Sequence, residues 1–462
     1  MTPPLTEKET KMKLSRRTFL SASALAAAPT LVPRPVLGNG FVAPSDTPTL
    51  LAVGVGGIGC SQTQEASGAG FQVEALCDID WNHAEKTFKL YPEARKYKDF
   101  REALDKEGDK IDCVYCGTPD HTHAIVALAA LRAGKHTCCV KPLTRTIEEG
   151  RAVAQAALDA GVATQITTSP ATGETGCRVT ELLAAGAIGQ VREVRLWSER
   201  PVWPQGAPTL PTWTDPIPEG FDWDAWLGPA PKIPFADKWP GDSPIPRMSP
   251  QNWGGAAVFH PFNFRGWTAF GTGALGDMGC HWANIPYRAL KLGTPTRVVA
   301  STTKFYGDAF PLSSLVTYDF PARGDLAEVR LVWTDGGIKP PMPNDWDGDE
   351  LPSEGVLYIG DEGVMFNDQI LNKERAKSFE SVPRTLPRRG QIMKEWIEAV
   401  RGGEPAGSNF PDAMPVLEFV LLGVLAIRTR KPVEFDPETC KVVNNPDADA
   451  FVKANFQNGW TL

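Results

Sequence analysis

The sequence predicts an α/β protein: a doubly wound parallel sheet at the N-terminal side, then an α+β domain with a large, mostly antiparallel sheet. Three observations predict this. From Thr49 short apolar runs alternate with helical segments, the pattern of consecutive βαβ units. The first run leads into Gly54-Val55-Gly56-Gly57-Ile58-Gly59, a turn suited to a strand-to-helix junction. Beyond about residue 170 the texture changes to strands of alternating polarity. A chain of 462 residues with 42% hydrophobic content can fill two such cores.

Taken in order, the predicted strands of the first domain are Leu50 to Val55, Gln72 to Cys77, Cys113 to Cys116, His136 to Val140 and Ala163 to Ile166. Helices at Pro119 to Ala133 and Ile147 to Ala160 separate the later ones, each stopped by a glycine, Gly134 or Gly161. This domain spans 48–170. A second domain covers 171–435, with strands at Val191 to Trp197, Arg297 to Thr303, Ser314 to Phe320 and Ala327 to Trp333, and helices at Gln391 to Val400 and Met414 to Thr429. Between them, residues 200–265 are rich in Pro, Trp and Gly, a composition more typical of a binding loop than of a linker. Residues 436–462 form a C-terminal extension.

The N-terminus reads as an address. Lys8, Lys11 and Lys13 precede Ser15-Arg16-Arg17-Thr18-Phe19-Leu20 and an Ala-rich apolar run, so residues 1–38 are expected to be a twin-arginine signal directing the protein to the periplasm or beyond. That run is too short to span a bilayer, and no later stretch is long enough, so no membrane span is expected. The formal net charge is −8 with no long basic run, which argues against nucleic acid as a partner. The nine cysteines include a Cys113-Val114-Tyr115-Cys116 spacing, but on a strand these two point to opposite faces, so small buried hydrophobes are expected instead of a dithiol.

The glycine loop carries the first chemistry. Gly54, Gly56, Gly57, Ile58 and Gly59 fit G-x-G-x-x-G, whose turn lets backbone amides approach a pyrophosphate at a helix N-terminus. The next strand ends at Asp78, placed to accept hydrogen bonds from ribose hydroxyls and to repel a 2′-phosphate. NAD is therefore the expected cofactor on a Rossmann domain, with no metal.

Three further segments carry candidate catalytic groups: Thr118-Pro119-Asp120-His121-Thr122-His123, Lys141-Pro142, and Gly276-Asp277-Met278-Gly279-Cys280-His281. Asp277 and His281 are four apart on a predicted helix, so the carboxylate is expected to orient the imidazole. Together with the glycine loop these segments resemble the glucose-fructose oxidoreductase/inositol dehydrogenase (Gfo/Idh/MocA) family. Longer strings resemble its exported members from planctomycete-type and gut bacteria: Lys141 to Thr144, Asp222 to Pro231, Phe262 to Trp267 and Gly459-Trp460.

The resemblance implies an NAD-dependent oxidoreductase acting on a hydroxyl of a sugar, cyclitol or glycoside. Lys141 would bridge cofactor and substrate, His281 would take the hydroxyl proton, and Asp277 would hold His281. Thr118, Pro119, Asp120 and His123 would border the cofactor, while His121 is expected in solvent. Trp253, His260 and Arg265 are the candidate sugar contacts. Two departures stand out: Val140 replaces the family Glu before Lys141, and Thr167-Thr168-Ser169-Pro170 replaces a Gly-Asn or similar polar segment. Export of an NAD enzyme implies a tightly held NAD(H), and with it an alternative, a redox glycoside hydrolase that oxidises, eliminates, hydrates and reduces; a non-catalytic sugar-binding protein is a third reading. A homo-oligomer, dimer or tetramer, is implied by resemblance alone.

Overall fold

A computed structural model describes residues 47–249 and 251–462. The twin-arginine reading of residues 1–38 lies outside them. The first sheet is built from β1 (Thr49–Val53), β2 (Gln72–Cys77), β3 (Arg95–Tyr97), β4 (Cys113–Cys116), β5 (His136–Val140) and β6 (Thr164–Thr167), all parallel, in the order β3-β2-β1-β4-β5-β6. The order reverses at β1, and the crevice where it reverses is where such sheets hold ligands. Helices α1 (Gly57–Ala69) and α2 (Trp81–Leu90) cover one face. On the other lie α3 (Phe100–Glu107), α4 (His123–Arg132) and α5 (Ile147–Ala160).

Local chemistry explains these boundaries. Asp80 and Asp99 cap α2 and α3 by accepting backbone amides, and Thr146 with Glu149 forms a reciprocal capping box at α5. Gly161 ends α5 in the left-handed conformation at φ 62°. The predicted helix over Pro119 to Ala133 begins instead as a 3-10 turn, Asp120–Thr122, and becomes α-helical only at His123. The strands are buried on both faces. Cys113 packs on one side with Tyr115 and Cys138, Cys116 on the other with Val114 and Cys139. All nine cysteines are free thiols.

After α6 (Glu174–Ala184), β7 (Val191–Trp197) enters the second sheet, followed by α7 (Trp223–Leu227) and α8 (Gly273–Ala289). The sheet adds β8 (Arg297–Thr302), β9 (Ser314–Phe320), β10 (Val329–Thr334), β11 (Gly355–Gly360), β12 (Val364–Phe366) and β13 (Gln369–Ile370) in the order β13-β12-β11-β7-β10-β9-β8. Only the β7 to β10 pairing is parallel. A short surface helix, α9 (Lys373–Ser378), precedes α10 (Ile392–Val400), which returns to the first sheet.

Helix α11 (Phe410–Thr429) is apolar all round, with a mean hydropathy of 1.8, because it is packed among α5, α8 and β8 in the core that joins the two sheets. It is the one described helix of membrane-crossing length and composition, and 72% of that stretch is buried inside the protein.

The Pro- and Trp-rich stretch after β7 has an aromatic core of its own, in which Trp223, Trp226, Phe259, Trp267 and Phe270 are buried. Burying such side chains stabilises by roughly 1.5–3 kcal/mol each, enough to make the segment an ordered wall. Its members Asp222, Trp226, His260 and Arg265 face the crevice of the first sheet.

Candidate cofactor cleft and catalytic cluster

A cleft of about 640 Å³ runs along the C-terminal ends of the parallel strands, from the glycine loop to Lys141. Volumes of this size are typical of ligand sites. Gly54, Gly56, Gly57, Ile58, Asp78, Thr118, Pro119, Asp120, Lys141, His260 and Arg265 all line it.

The glycines are required by their surroundings. Gly54 has φ +76°, and a Cβ there would lie 2.6 Å from the Thr118 amide nitrogen. A Cβ on Gly59 would lie 1.9 Å from the Gly54 carbonyl oxygen, and one on Gly56 would strike the His83 ring at 2.0 Å. The loop therefore forms a bare backbone cradle opening α1, the geometry that receives a pyrophosphate.

Asp78 anchors this cradle. Its Oδ2 accepts the amides of Val55 and Gly56 at 2.8 and 3.2 Å, and its Oδ1 accepts that of Asp80 at 2.9 Å. Burial pushes its carboxyl up, opposed by the Asp80 and Val55 amides. Asp80 in turn accepts His260 Nε2 at 3.0 Å, and His260 stacks on Phe221 with 5.0 Å between centroids. His260, expected at the sugar, is thus placed beside the loop that follows β2, because the aromatic segment folds back over that end of the cleft. Asp80 and His83 were missed by the sequence reading, although both follow Asp78 within five residues.

At the other end Lys141 and Asp277 are paired. Lys141 Nζ donates to Asp277 Oδ1 at 2.5 Å and to the Asp277 carbonyl at 2.6 Å, and Arg265 Nε donates to the same Oδ1 at 3.2 Å. Burial alone would raise the Asp277 carboxyl, but the Lys141 and Arg265 charges hold it well below the usual range. The carboxylate partner that Val140 cannot supply to Lys141 comes instead from α8. Val140 itself is a buried wall of the cleft.

The expected Asp277-to-His281 contact is corrected by this geometry. The Asp277 carboxylate is occupied by Lys141 and Arg265, and His281 Nδ1 accepts the Ser169 backbone amide at 2.9 Å. The Ser169 and Thr168 hydroxyls lie 3.1 and 3.4 Å from the same nitrogen. A backbone amide can only donate, so Nδ1 is unprotonated and the neutral ring carries its hydrogen on Nε2. Burial, reinforced by the Lys141 charge, pushes the imidazole down to about 3. In this tautomer His281 carries its N–H at Nε2 and has no free lone pair on either ring nitrogen. The Thr167-Thr168-Ser169 departure supplies this amide. The contact had no sequence signal, because Ser169 and His281 are 112 residues apart.

His121 is also corrected. It is 1% exposed, donates Nε2–H to the Trp226 carbonyl at 2.7 Å, and burial pushes it down to about 3. His123 is buried, with Nδ1 and Nε2 each 2.7 Å from a carbonyl oxygen, of Pro142 and Thr118 respectively. It ties the Thr118 turn to the Lys141-Pro142 turn. Cys116 and Cys139 lie near it, but both its nitrogens already face backbone. Trp253 is 61% exposed, with Arg200 over its ring at 4.8 Å and Phe262 beside it.

Residues 49–168 match the model of the GFO_IDH_MocA family, described as an oxidoreductase family with an NAD-binding Rossmann fold. That match covers the first domain, whose parallel sheet and glycine loop are similar to the NAD-binding Rossmann fold the family model describes. The chain is 34% identical to a levoglucosan dehydrogenase of Pseudarthrobacter phenanthrenivorans over 97 residues, 21% of this chain and 24% of that one. It is 29% identical to a glycosyl hydrolase family 109 protein of Shewanella pealeana over 164 residues, 30% of this chain and 36% of that one. Among the relatives reported by sequence, the matched share of the relative lies between 16% and 38%. A solved levoglucosan dehydrogenase in complex with NADH and L-sorbose superposes over 84% of this chain and 98% of its own, with a TM-score of 0.54 at 16% identity, a likeness of fold.

Proposed function

We propose that this protein is an NAD-dependent oxidoreductase acting on a hydroxyl, or the corresponding carbonyl, of a sugar, cyclitol or glycoside. The observation that carries the reading is the Lys141–Asp277 pair at one end of a cleft whose other end is a side-chain-free glycine cradle. The cradle amides and Asp78 would hold the pyrophosphate and ribose, with Thr118 to Asp120 along the same wall. Bound there, NAD supplies hydride exchange at its nicotinamide ring. The chain's own groups manage the oxygen. Lys141 Nζ and His281 Nε2–H both donate to it, which stabilises negative charge as it develops. Lys141 is the group that delivers the proton as its ammonium when a carbonyl is reduced and, in its unprotonated form, takes it when a hydroxyl is oxidised, while Asp277 with Arg265 fixes where its nitrogen sits. Arg265 offers a further donor at the cleft wall, whereas Trp253 lies outside the cleft lining with Arg200 over its ring.

A second reading, a redox glycoside hydrolase with retained NAD(H), is supported by the aromatic wall that covers the cleft and by the likeness to the family 109 protein. One experiment separates the two. Protein purified without added cofactor is assayed for bound NAD(H), then incubated with a panel of sugars and aryl glycosides. Net NADH from added NAD is the expected result; aglycone release without net NADH would overturn it in favour of the hydrolase, and neither product would leave a sugar-binding role. Export by the twin-arginine route is proposed on Arg16 and Arg17, and cell fractionation of the Arg16→Lys/Arg17→Lys variant tests it. A homo-oligomer is proposed on resemblance, with light scattering as its test.

A further inference from the structure

The segment Gln457–Trp460 lies along the cleft, pinned at two places. Asn458 Nδ2 donates to the carbonyls of Gly228 and Ala230 at 2.8 and 2.9 Å, and the Gln457 amide donates to the Pro229 carbonyl at 3.0 Å. Beyond these bonds Trp460 stacks on Phe100 at 6.1 Å and 20°, and the Arg101 guanidinium sits over its indole at 4.6 Å. Asp99 holds that guanidinium by two parallel hydrogen bonds, Nε to Oδ1 at 3.0 Å and Nη2 to Oδ2 at 2.6 Å. Phe100, Arg101 and Trp460 all line the cleft. The Asp78 amide donates to the Tyr97 carbonyl at 3.1 Å, which sets the turn leading to Phe100 and Arg101 directly beside the ribose-binding carboxylate.

A dinucleotide with its pyrophosphate on the glycine loop and a ribose on Asp78 must send the base of that ribose onward, away from Lys141. The onward direction is the wall of Phe100, Arg101 and Trp460. A flat base needs an apolar or π surface there, because its faces form no hydrogen bonds.

We infer that Trp460, backed by Phe100 and Arg101, closes the adenine end of the cofactor site and grips the base of adenine nucleotides. The inference rests on the NAD reading above and adds to it a contact from a segment more than 350 residues distant from Phe100.

The test is calorimetric titration of the full chain and its Trp460→Ala and Trp460→Phe variants with NAD and with ADP-ribose, beside thermal unfolding without ligand. Trp460→Ala is expected to weaken both ligands by about 10- to 100-fold, with the ligand-free unfolding midpoint lowered by no more than about 3 °C and most of the affinity restored in Trp460→Phe. Unchanged affinity in Trp460→Ala overturns the inference. So does a larger fall in the ligand-free midpoint with no rescue by phenylalanine, the mark of a merely structural role. Failure of the unaltered chain to bind NAD would instead overturn the cofactor reading itself.

Discussion

The two ends of the cleft are made differently. The glycine-loop end is contiguous backbone, Gly54 to Gly59, braced by one carboxylate from the next strand. The lysine end is made of side chains from four separate places: Lys141 after β5, Ser169 after β6, Arg265 in the aromatic segment and Asp277 with His281 on α8. Backbone cradles recognise a constant anionic group, whereas side-chain clusters adjust charge and donors around a reacting oxygen. The first end is thus the place to break binding, and the second the place to break chemistry.

The largest expected effect falls at the lysine end. Lys141→Ala removes the proposed proton-transferring group and should lower kcat by about 10³-fold, with NAD affinity changed far less, as steady-state rates beside calorimetry will show. Next is the role of His281. His281→Ala should cost about 10²-fold in kcat, while His281→Gln, which keeps an N–H donor, should stay within about tenfold of the parent. Equal loss in both variants, or a limb of the pH–rate profile near 6.5 that vanishes with His281, would make the ring a base after all.

At the opposite end, Gly54→Ala forces a Cβ against the Thr118 amide at positive φ. It should cost about 1–3 kcal/mol of stability and abolish NAD binding, both measurable by denaturant titration with and without cofactor. The contrast sharpens if its residual turnover at saturating NAD is nearer the parent than that of Lys141→Ala.

The smallest effect is on stability against pH. His121 and His281 are pushed down to about 3 in the fold, against about 6.5 unfolded, so the unfolded chain binds more protons below pH 6.5. Their contribution is complete above pH 6.5 and is lost as pH falls toward 3. Asp335, pushed up to about 6 by burial, acts with the opposite sign between about pH 4 and 6. These three groups together contribute a slope of about one proton there, roughly 1.4 kcal/mol per pH unit. His121→Leu should flatten it by about one proton in denaturation series from pH 4 to 7.

The legibility of the sequence follows the same division as the cleft. The glycine loop, Asp78 and the order of strand and helix were readable because each depends on neighbours a few residues away. The short strand β3 was not, since Arg95–Tyr97 carries no apolar run and is a strand only because β2 lies beside it. The partner of Asp277 was misjudged for a related reason. Spacing on a helix puts Asp277 and His281 on one face, but a buried carboxylate is claimed by the nearest cation, and Lys141 arrives from the end of β5. His121 was expected in solvent because nothing in its own segment shows that Trp226 and Phe270 will cover it.

By itself, then, the sequence determined the parallel sheet and the glycine-loop cradle, both set by local backbone conformation and hydrophobic period. Only the tertiary structure decided which carboxylate faces Lys141, which nitrogen of His281 carries its hydrogen, and that Trp460 closes the far end of the cleft. These depend on desolvation and on contacts between segments more than a hundred residues apart, which no local pattern encodes.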